Sequence, residues 1–171
     1  MYQFHFFICS KRCSHPLFIY CKFRIISSEI NCFSGIVEAM TSKFLVVLKP
    51  EIVAHRVLTQ VALSELRKNG IEIEEMRQMR IDGTLAKSLY KQHEGKFFYD
   101  RLVRHISSGD VIAMRVNGNA RKCIGSSRLW PRMEPPVQPI RQKFALSDVR
   151  NVAHASDEDV AQNELELFRL L

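Results

Sequence analysis

The chain has 171 residues, enough for one domain with a substantial core and too few for two domains of ordinary size. It is 46% hydrophobic and 25% charged, a composition typical of soluble globular proteins, and charged residues interrupt every apolar run before it is long enough to span a membrane. The net charge of +7 favours an anionic partner such as a nucleotide, a nucleic acid or an acidic membrane surface, without choosing among them.

Residues 1–39 differ in character from the rest of the chain. They are rich in Phe, Ile, Cys and Ser, they show no steady helical or strand period, and they contain four of the five cysteines. This extension is interpreted as disordered, as a targeting presequence, as a signal sequence broken by charges, or as an over-extended gene model with Met40 as the working start, which we favour. The cysteine spacings do not match a structural zinc site, and only Cys123 lies beyond residue 39. We therefore predict a reducing compartment, cytoplasmic or mitochondrial.

The first half of the remaining chain predicts a strand, a helix and a second strand. The apolar run 44–48 is typical of a strand that is buried on both faces. Pro50 is suited to the first position of a helix, and apolar residues then recur every four residues up to Leu66. Asn69 and Gly70 predict the end of that helix, and a strand is expected over 71–81.

The second half predicts a further set of alternating elements. Helices are expected over 84–93 and 97–106, a strand over 110–116, and weak helix over 119–125. The proline-rich segment that follows is not expected to form regular structure. A last strand over 149–154 then leads into a helix over 157–169. This order predicts an α+β fold, a ferredoxin-like four-stranded antiparallel sheet covered by helices.

One short segment stands out chemically, the octamer RNVAHASD over residues 150–157. His154 closes an apolar run, and Ser156 and Asp157 resemble the N-cap of the next helix. A neutral histidine in such a place can act as a nucleophile toward phosphorus. Taken alone, the octamer fits better with a half-buried structural histidine beside a helix cap.

Residues 44–168 resemble a nucleoside diphosphate kinase domain, so the kinase-like domain is expected over 40–171. Four ordered segments carry the resemblance: FLVVLKPEIV, YKQHEGKFFYDRLVRHISSGDVIAM, PIRQKF and DVRNVAHASD. The segment HEGKFFYDRLV is most similar to the divergent sixth type of the family. The resemblance implies transfer of the terminal phosphate of ATP to nucleoside diphosphates through a phosphohistidine.

The resemblance also implies roles for individual residues. His154 lies at the position of the nucleophile, and Glu164 at that of the glutamate that orients it, provided that one residue is deleted from the last helix; otherwise Leu165 falls there. Tyr90 is implied to lie beside the histidine. The residues implied to bind the nucleotide are Lys49 and Arg141 (phosphate), Asn151 (sugar), and Phe98 with Leu102 (base). His55, His93 and His105 match no role and are expected to be solvated or packed.

The departures from the family pattern cluster where phosphate would bind. Gly125 stands where the family usually has an arginine, and Trp130 or Pro131 where it has a threonine. Three other arginines are possible substitutes but out of register: Arg121, Arg128 and Arg132. A weakly active or inactive nucleotide-binding or partner-binding module therefore remains the alternative to an efficient kinase.

The implied cofactor is magnesium, carried by the nucleotide phosphates and water rather than by protein ligands. The implied partners are ATP, nucleoside diphosphates, and either further copies of the chain (a hexamer or a dimer) or another protein. Nucleic-acid binding is the least favoured function, because the chain lacks the aromatic strand motif of RNA-binding domains.

Overall fold

The fold is that of a computed structural model, which describes residues 42–130 and 138–170. The N-terminal extension discussed above, residues 1–39, lies outside the described residues. So do three prolines of the proline-rich segment, Pro131, Pro135 and Pro136. The described residues form four strands: β1 (Lys43–Leu48), β2 (Glu72–Arg80), β3 (Asp110–Asn117) and β4 (Ala153–Ala155). These strands pair antiparallel in one sheet, in the order β2-β3-β1-β4. The predicted α+β fold with a four-stranded antiparallel sheet is therefore confirmed.

The sheet is covered on both faces because β1 is apolar at every position from Phe44 to Leu48. Side chains of successive strand residues point to opposite faces. Phe44, Val46 and Leu48 accordingly pack with the helix over Arg56–Lys68 on one face. Leu45 and Val47 pack on the other face with residues of the three helices that border the site described below.

The helices lie close to their predicted positions. They are α1 (Pro50–Val53), α2 (Arg56–Lys68), α3 (Gly83–Leu89), α4 (Tyr99–Ile106), α5 (Ala120–Ile124), α6 (Ile140–Phe144) and α7 (Ala161–Phe168), with a 3-10 helix over Lys91–His93. None of the helices in 42–130 and 138–170 has the length and apolar character needed to cross a bilayer.

Two differences from the predicted helices have clear physical reasons. The single helix expected after Pro50 is two helices, because His55 is extended and the Thr59 hydroxyl donates to the Ile52 carbonyl across the break. As a result, Val57 is exposed while Ala62 and Leu66 are buried. The other difference is α6, which was not predicted; it follows Pro139, which lacks an N–H and so loses nothing at a helix start.

The segment after β4 also differs from prediction. Ser156 and Asp157 do not cap a helix, because α7 begins only at Ala161. The Ser156 hydroxyl instead accepts the Leu45 N–H at 2.9 Å and so fastens the chain to β1. The pairing of β4 with β1 sets His154 opposite Val47. The central strand therefore fixes the backbone of the residue with the greatest chemical interest.

Candidate active site

A cavity of about 290 Å³ opens where β1 ends and β4 begins. Seven of the eight predicted site residues line it: Lys49, Tyr90, Phe98, Leu102, Arg141, Asn151 and His154. The eighth, Glu164, lies behind His154 and reaches the cavity only through that ring. Residues 105 positions apart in the sequence, Lys49 and His154, are thus brought to one site. The exposed Trp130 is not part of the cavity wall.

His154 is held between a carboxylate and an aromatic ring. Its Nε2 lies 2.7 Å from Glu164 Oε2, and both side chains are largely buried. An ionised carboxylate can only accept a hydrogen bond, so this pair places the proton on Nε2 and the lone pair on Nδ1. The Tyr90 ring packs edge-on to the imidazole, with 5.9 Å between ring centroids. The register with Glu164 rather than Leu165 follows from α7, where Leu165 packs into the core.

A tight turn just before β4 sets the orientation of the backbone at His154. Ala153 N–H donates to the Asn151 carbonyl at 3.0 Å, which closes a three-residue turn around Val152. Val152 has φ of 80°, an unfavourable value for a β-branched residue. Glu51 Oε1 accepts the Val152 N–H at 3.0 Å, and Glu51 Oε2 lies 2.7 Å from His105 Nε2. His105, which was expected to be solvated or packed, is packed, and it also takes part in this support.

Lys49 and Asn151 form the polar floor of the cavity. Lys49 Nζ donates to Asn151 Oδ1 at 2.6 Å and to the Val149 carbonyl at 2.8 Å. Burial lowers the pKa of Lys49 to about 8; the Arg141 charge adds to this effect, while Glu51 and Asp148 oppose it. A buried ammonium group of this kind gains from an anion placed beside it.

Arg141 is anchored to the main chain around the cavity. Its guanidinium donates to the carbonyls of Asn151 at 3.1 Å, Ala153 at 2.7 Å, and Gly125. These bonds tie α6 to the turn before His154 and to the end of α5. Burial, together with the nearby Arg121 charge, lowers the pKa of Arg141 to about 10, so the group still carries its charge at neutral pH.

Part of the cavity wall is apolar. Leu102 is buried on α4 and Phe98 is partly buried just before it, four residues away and on the same face. The Phe98 ring contacts His93 edge-on, with 5.6 Å between centroids. The neighbouring Phe97 is 87% exposed, whereas Ile106 is fully buried. A flat aromatic face over a leucine is suited to a planar base.

Three residues of the cavity wall were missed or left open by the sequence. His93 matched no role, yet it lines the cavity; burial and the Lys96 and His154 charges lower its pKa. Arg121 and Asp157 also line the cavity and form an ion pair with each other. Nothing local in the sequence marks this pair, since α5 and the segment after β4 meet only in the folded chain.

Tyr90 carries a further chemical feature: its buried hydroxyl has no hydrogen-bond partner among the described residues, and burial raises its pKa.

The described residues contain no cluster of three or more metal-binding side chains. The two carboxylates of the cavity wall are already engaged, Asp148 with Arg101 and Asp157 with Arg121. This donor set does not make a cage for a divalent cation, and it is compatible with a cation that arrives on a polyphosphate.

Comparison with known proteins agrees with this geometry. The family model described as nucleoside diphosphate kinase matches residues 42–169. The chain is 36% identical over 129 residues to a nucleoside diphosphate kinase of Sulfurisphaera tokodaii, covering 72% of this chain and 85% of that protein. It is 33% identical over 135 residues to the enzyme of Saccharolobus solfataricus, covering 75% and 95%. The structure of a nucleoside diphosphate kinase from Halobacterium salinarum in complex with CDP matches with a TM-score of 0.67 and 30% identity, covering 75% of this chain and 88% of that one.

The fold and the match together define a nucleotide-binding phosphotransferase. More specifically, the chain belongs to the nucleoside diphosphate kinase family, as its sequence predicted. The two relatives named above by sequence identity are archaeal. They give no support to a place in the sixth type within the family.

Proposed function

We propose that His154 carries the phosphate between nucleotides. The observation that carries this proposal is the 2.7 Å pair of Nε2 with Glu164, which leaves Nδ1 as the nucleophilic nitrogen. The Nδ1 lone pair attacks the terminal phosphorus of a nucleoside triphosphate, and the bond from that phosphorus to the bridging oxygen breaks. The diphosphate leaves with the bonding electrons, and the phosphohistidine then passes its phosphoryl group to the terminal oxygen of a second diphosphate.

The carboxylate of Glu164 has a defined part in this step. Attack by Nδ1 develops positive charge on the imidazole ring, and a buried carboxylate bonded to Nε2–H stabilises that charge. It also fixes the tautomer, as an oriented partner does for other catalytic histidines. Glu164 thus acts on the ring and not on the phosphate.

The remaining residues place the nucleotide. Phe98 and Leu102 hold the base by stacking and apolar contact, which recognises no particular base. Lys49 and Asn151 are assigned to the sugar hydroxyl and the phosphates, and Arg141 holds the turn and offers its remaining N–H groups to phosphate. We assign the Tyr90 hydroxyl, which is buried and has no hydrogen-bond partner among the described residues, as a further donor to the bound polyphosphate. The halophilic relative was solved in complex with CDP, which supports nucleotide binding by this chain.

Magnesium fits this site only as a companion of the nucleotide. Asp148 and Asp157 are the two carboxylates that line the cavity, too few for a protein cage, so phosphate and water oxygens would supply most of the ligands of the cation. When bound, the cation neutralises charge on the phosphates.

The direct test is labelling with ATP that carries radioactive phosphorus in its terminal phosphate. Wild-type protein should take up acid-labile, alkali-stable label, and ADP should remove it. His154→Ala should take up none, whereas His55→Ala, a change at an exposed histidine, should label as the wild type does. Label that persists in His154→Ala would overturn the assignment.

A second candidate function, a nucleotide-binding or partner-binding module with little turnover, is favoured by one observation. Gly125, where the resemblance placed a phosphate-binding arginine, cannot hold a side chain: its φ is 90°, and a Cβ there would collide with the Pro139 ring. The same labelling experiment separates the two candidates. A module without turnover binds ADP but stays unlabelled.

We further propose that the chain forms a homo-oligomer, as a dimer or hexamer. The edge strand β2 pairs only with β3 among the described strands, and it exposes half of Met76. Val57 on α2 is 71% exposed. Light scattering after size-exclusion chromatography tests this; a monomer at micromolar concentration would contradict it.

Two finer assignments rest on sequence alone. The segment HEGKFFYDRLV supports a place near the sixth type within the family. A cytoplasmic or mitochondrial location, with residues 40–171 as the kinase domain, rests on the character of residues 1–39. Mass spectrometry of the native N-terminus tests both the boundary and the location.

A further inference from the structure

Arg121 occupies the cavity wall in a different way from the other cations. It lies on α5, and its guanidinium pairs with the carboxylate of Asp157, three residues after His154. About half of each of these two side chains is exposed to solvent. An exposed ion pair contributes little to stability, roughly 0–1 kcal/mol, so its partners exchange readily.

Lys49 and Arg141 are bound more firmly to the protein itself. Lys49 is only 3% exposed, and its Nζ donates to two protein oxygens. Arg141 donates to three main-chain carbonyls. Both groups hold the turn before His154 in place. Arg121 thus adds to the cavity a movable positive charge whose carboxylate partner can be replaced.

The position of Arg121 also accounts for the missing side chain at Gly125. These two residues are four apart, and the Gly125 N–H donates to the Arg121 carbonyl at 2.8 Å at the end of α5. Gly125 has no room for a side chain because Pro139 packs against it. Its carbonyl instead accepts from Arg141. The guanidinium of Arg121, four residues earlier, lines the cavity and supplies a positive charge that residue 125 lacks.

We propose that Arg121 is a phosphate-binding residue of this enzyme, and that Asp157 holds it until the polyphosphate of a nucleotide takes the place of the carboxylate. This assignment rests on the proposed binding of nucleotides in the cavity. The ligand is the β- or γ-phosphate of a nucleoside di- or triphosphate, since Arg121 is paired with a residue close to His154 in the chain, whereas the base is assigned to Phe98 and Leu102. Arginine suits this role because its planar guanidinium can donate two parallel hydrogen bonds to phosphate oxygens.

A purely structural role for the pair makes a different prediction. If Arg121 and Asp157 only fastened α5 to the segment after β4, removing either partner would have the same effect. In the proposed role, loss of Arg121 weakens phosphate binding, whereas loss of the Asp157 charge frees the arginine and removes a negative charge beside the phosphate. The two substitutions should therefore change affinity in opposite directions.

The experiment measures ADP and adenosine binding to the full chain by isothermal titration calorimetry. Arg121→Gln should weaken ADP binding by about tenfold or more, the loss of a charged hydrogen bond. Asp157→Asn should tighten ADP binding by about two- to fivefold, the reversal of a half-exposed ion pair. Adenosine, which has no phosphate, should bind both variants as it binds the wild type. Lys122→Gln, at the neighbouring exposed residue of α5, is the matched control for loss of one positive charge.

The outcomes separate this proposal from the function on which it rests. Equal losses of ADP affinity in Arg121→Gln and Asp157→Asn, or a loss of adenosine affinity in Arg121→Gln, would overturn the role of Arg121. So would Arg121→Gln binding ADP as tightly as Lys122→Gln. A wild-type protein that binds neither ADP nor ATP would instead overturn the proposed nucleotide site.

Discussion

Glu51 accepts the backbone N–H of Val152 at 3.0 Å, a contact between residues that are 101 positions apart in the sequence. The bond lies at the residue whose positive φ turns the chain toward His154. His105 holds the second carboxylate oxygen, so the carboxylate is fixed from both sides. The turn that aims the nucleophile is thus supported from α1 and α4, outside the cavity.

We expect Glu51→Gln to lower the free energy of unfolding by about 1–3 kcal/mol at neutral pH, because a buried charged hydrogen-bond acceptor is lost. Burial alone would raise the pKa of Glu51, but hydrogen bonds from His105 and Val152 outweigh it and hold the pKa below its ordinary value. A lowered carboxyl pKa stabilises the fold above the unfolded value, and this contribution is lost as pH falls through the folded value.

The difference between wild type and Glu51→Gln should therefore shrink on acidification. Urea unfolding at about pH 7 and about pH 3.5 measures it. Glu158→Gln, at an exposed carboxylate, should unfold like the wild type at both pH values. A constant difference across this range would show that the Glu51 charge does not support the turn.

We expect Glu164→Gln to slow phosphohistidine formation by about tenfold to a hundredfold, the loss of one charged hydrogen bond in the transition state. The amide still accepts from Nε2–H, so ADP affinity should change little. Rapid-quench labelling of His154 gives the rate, and Glu166→Gln on the exposed side of α7 is the control. A rate equal to that of the wild type would remove Glu164 from the mechanism.

Nucleotide affinity should fall as pH rises above about 8, because the pKa of buried Lys49 is lowered to about 8 and the neutral amine no longer attracts phosphate. Bound phosphate should raise that pKa, so ADP binding near pH 8.5 should take up close to one proton. Calorimetry in two buffers of different ionisation enthalpy counts the protons. Affinity that stays constant to about pH 9.5 would place the Lys49 pKa near its ordinary value.

We expect Phe98→Ala to raise KM by about tenfold for ADP, GDP and CDP alike, since stacking on a ring contributes roughly 1–3 kcal/mol without choosing a base. Phe97→Ala provides a close control, because the neighbouring ring is 87% exposed. Kinetics with the three diphosphates tests the assignment. A change in preference among the bases would indicate hydrogen-bond recognition instead.

The sequence predicted what local patterns and ordered motifs can encode. The wholly apolar run of β1 and the recurring apolar residues of α2 follow from periodicity, and the grouping of Lys49, Asn151 and His154 follows from the resemblance. Contacts between distant segments left no such pattern. Neither Glu51 with His105 nor Arg121 with Asp157 is marked by spacing. Ser156 was misassigned as a cap because a hydroxyl that caps a helix and one that bonds a strand look identical in sequence.

The packing of Pro139 against Gly125 has a consequence for protein engineering. An arginine grafted at residue 125 to match the family pattern would be forced into backbone with φ of 90° and against the proline ring. We expect Gly125→Arg to unfold more readily, by roughly 1–3 kcal/mol, and to gain no activity. Introducing an arginine at this position would therefore require replacing α5, Gly125 and Pro139 together, because they pack against one another.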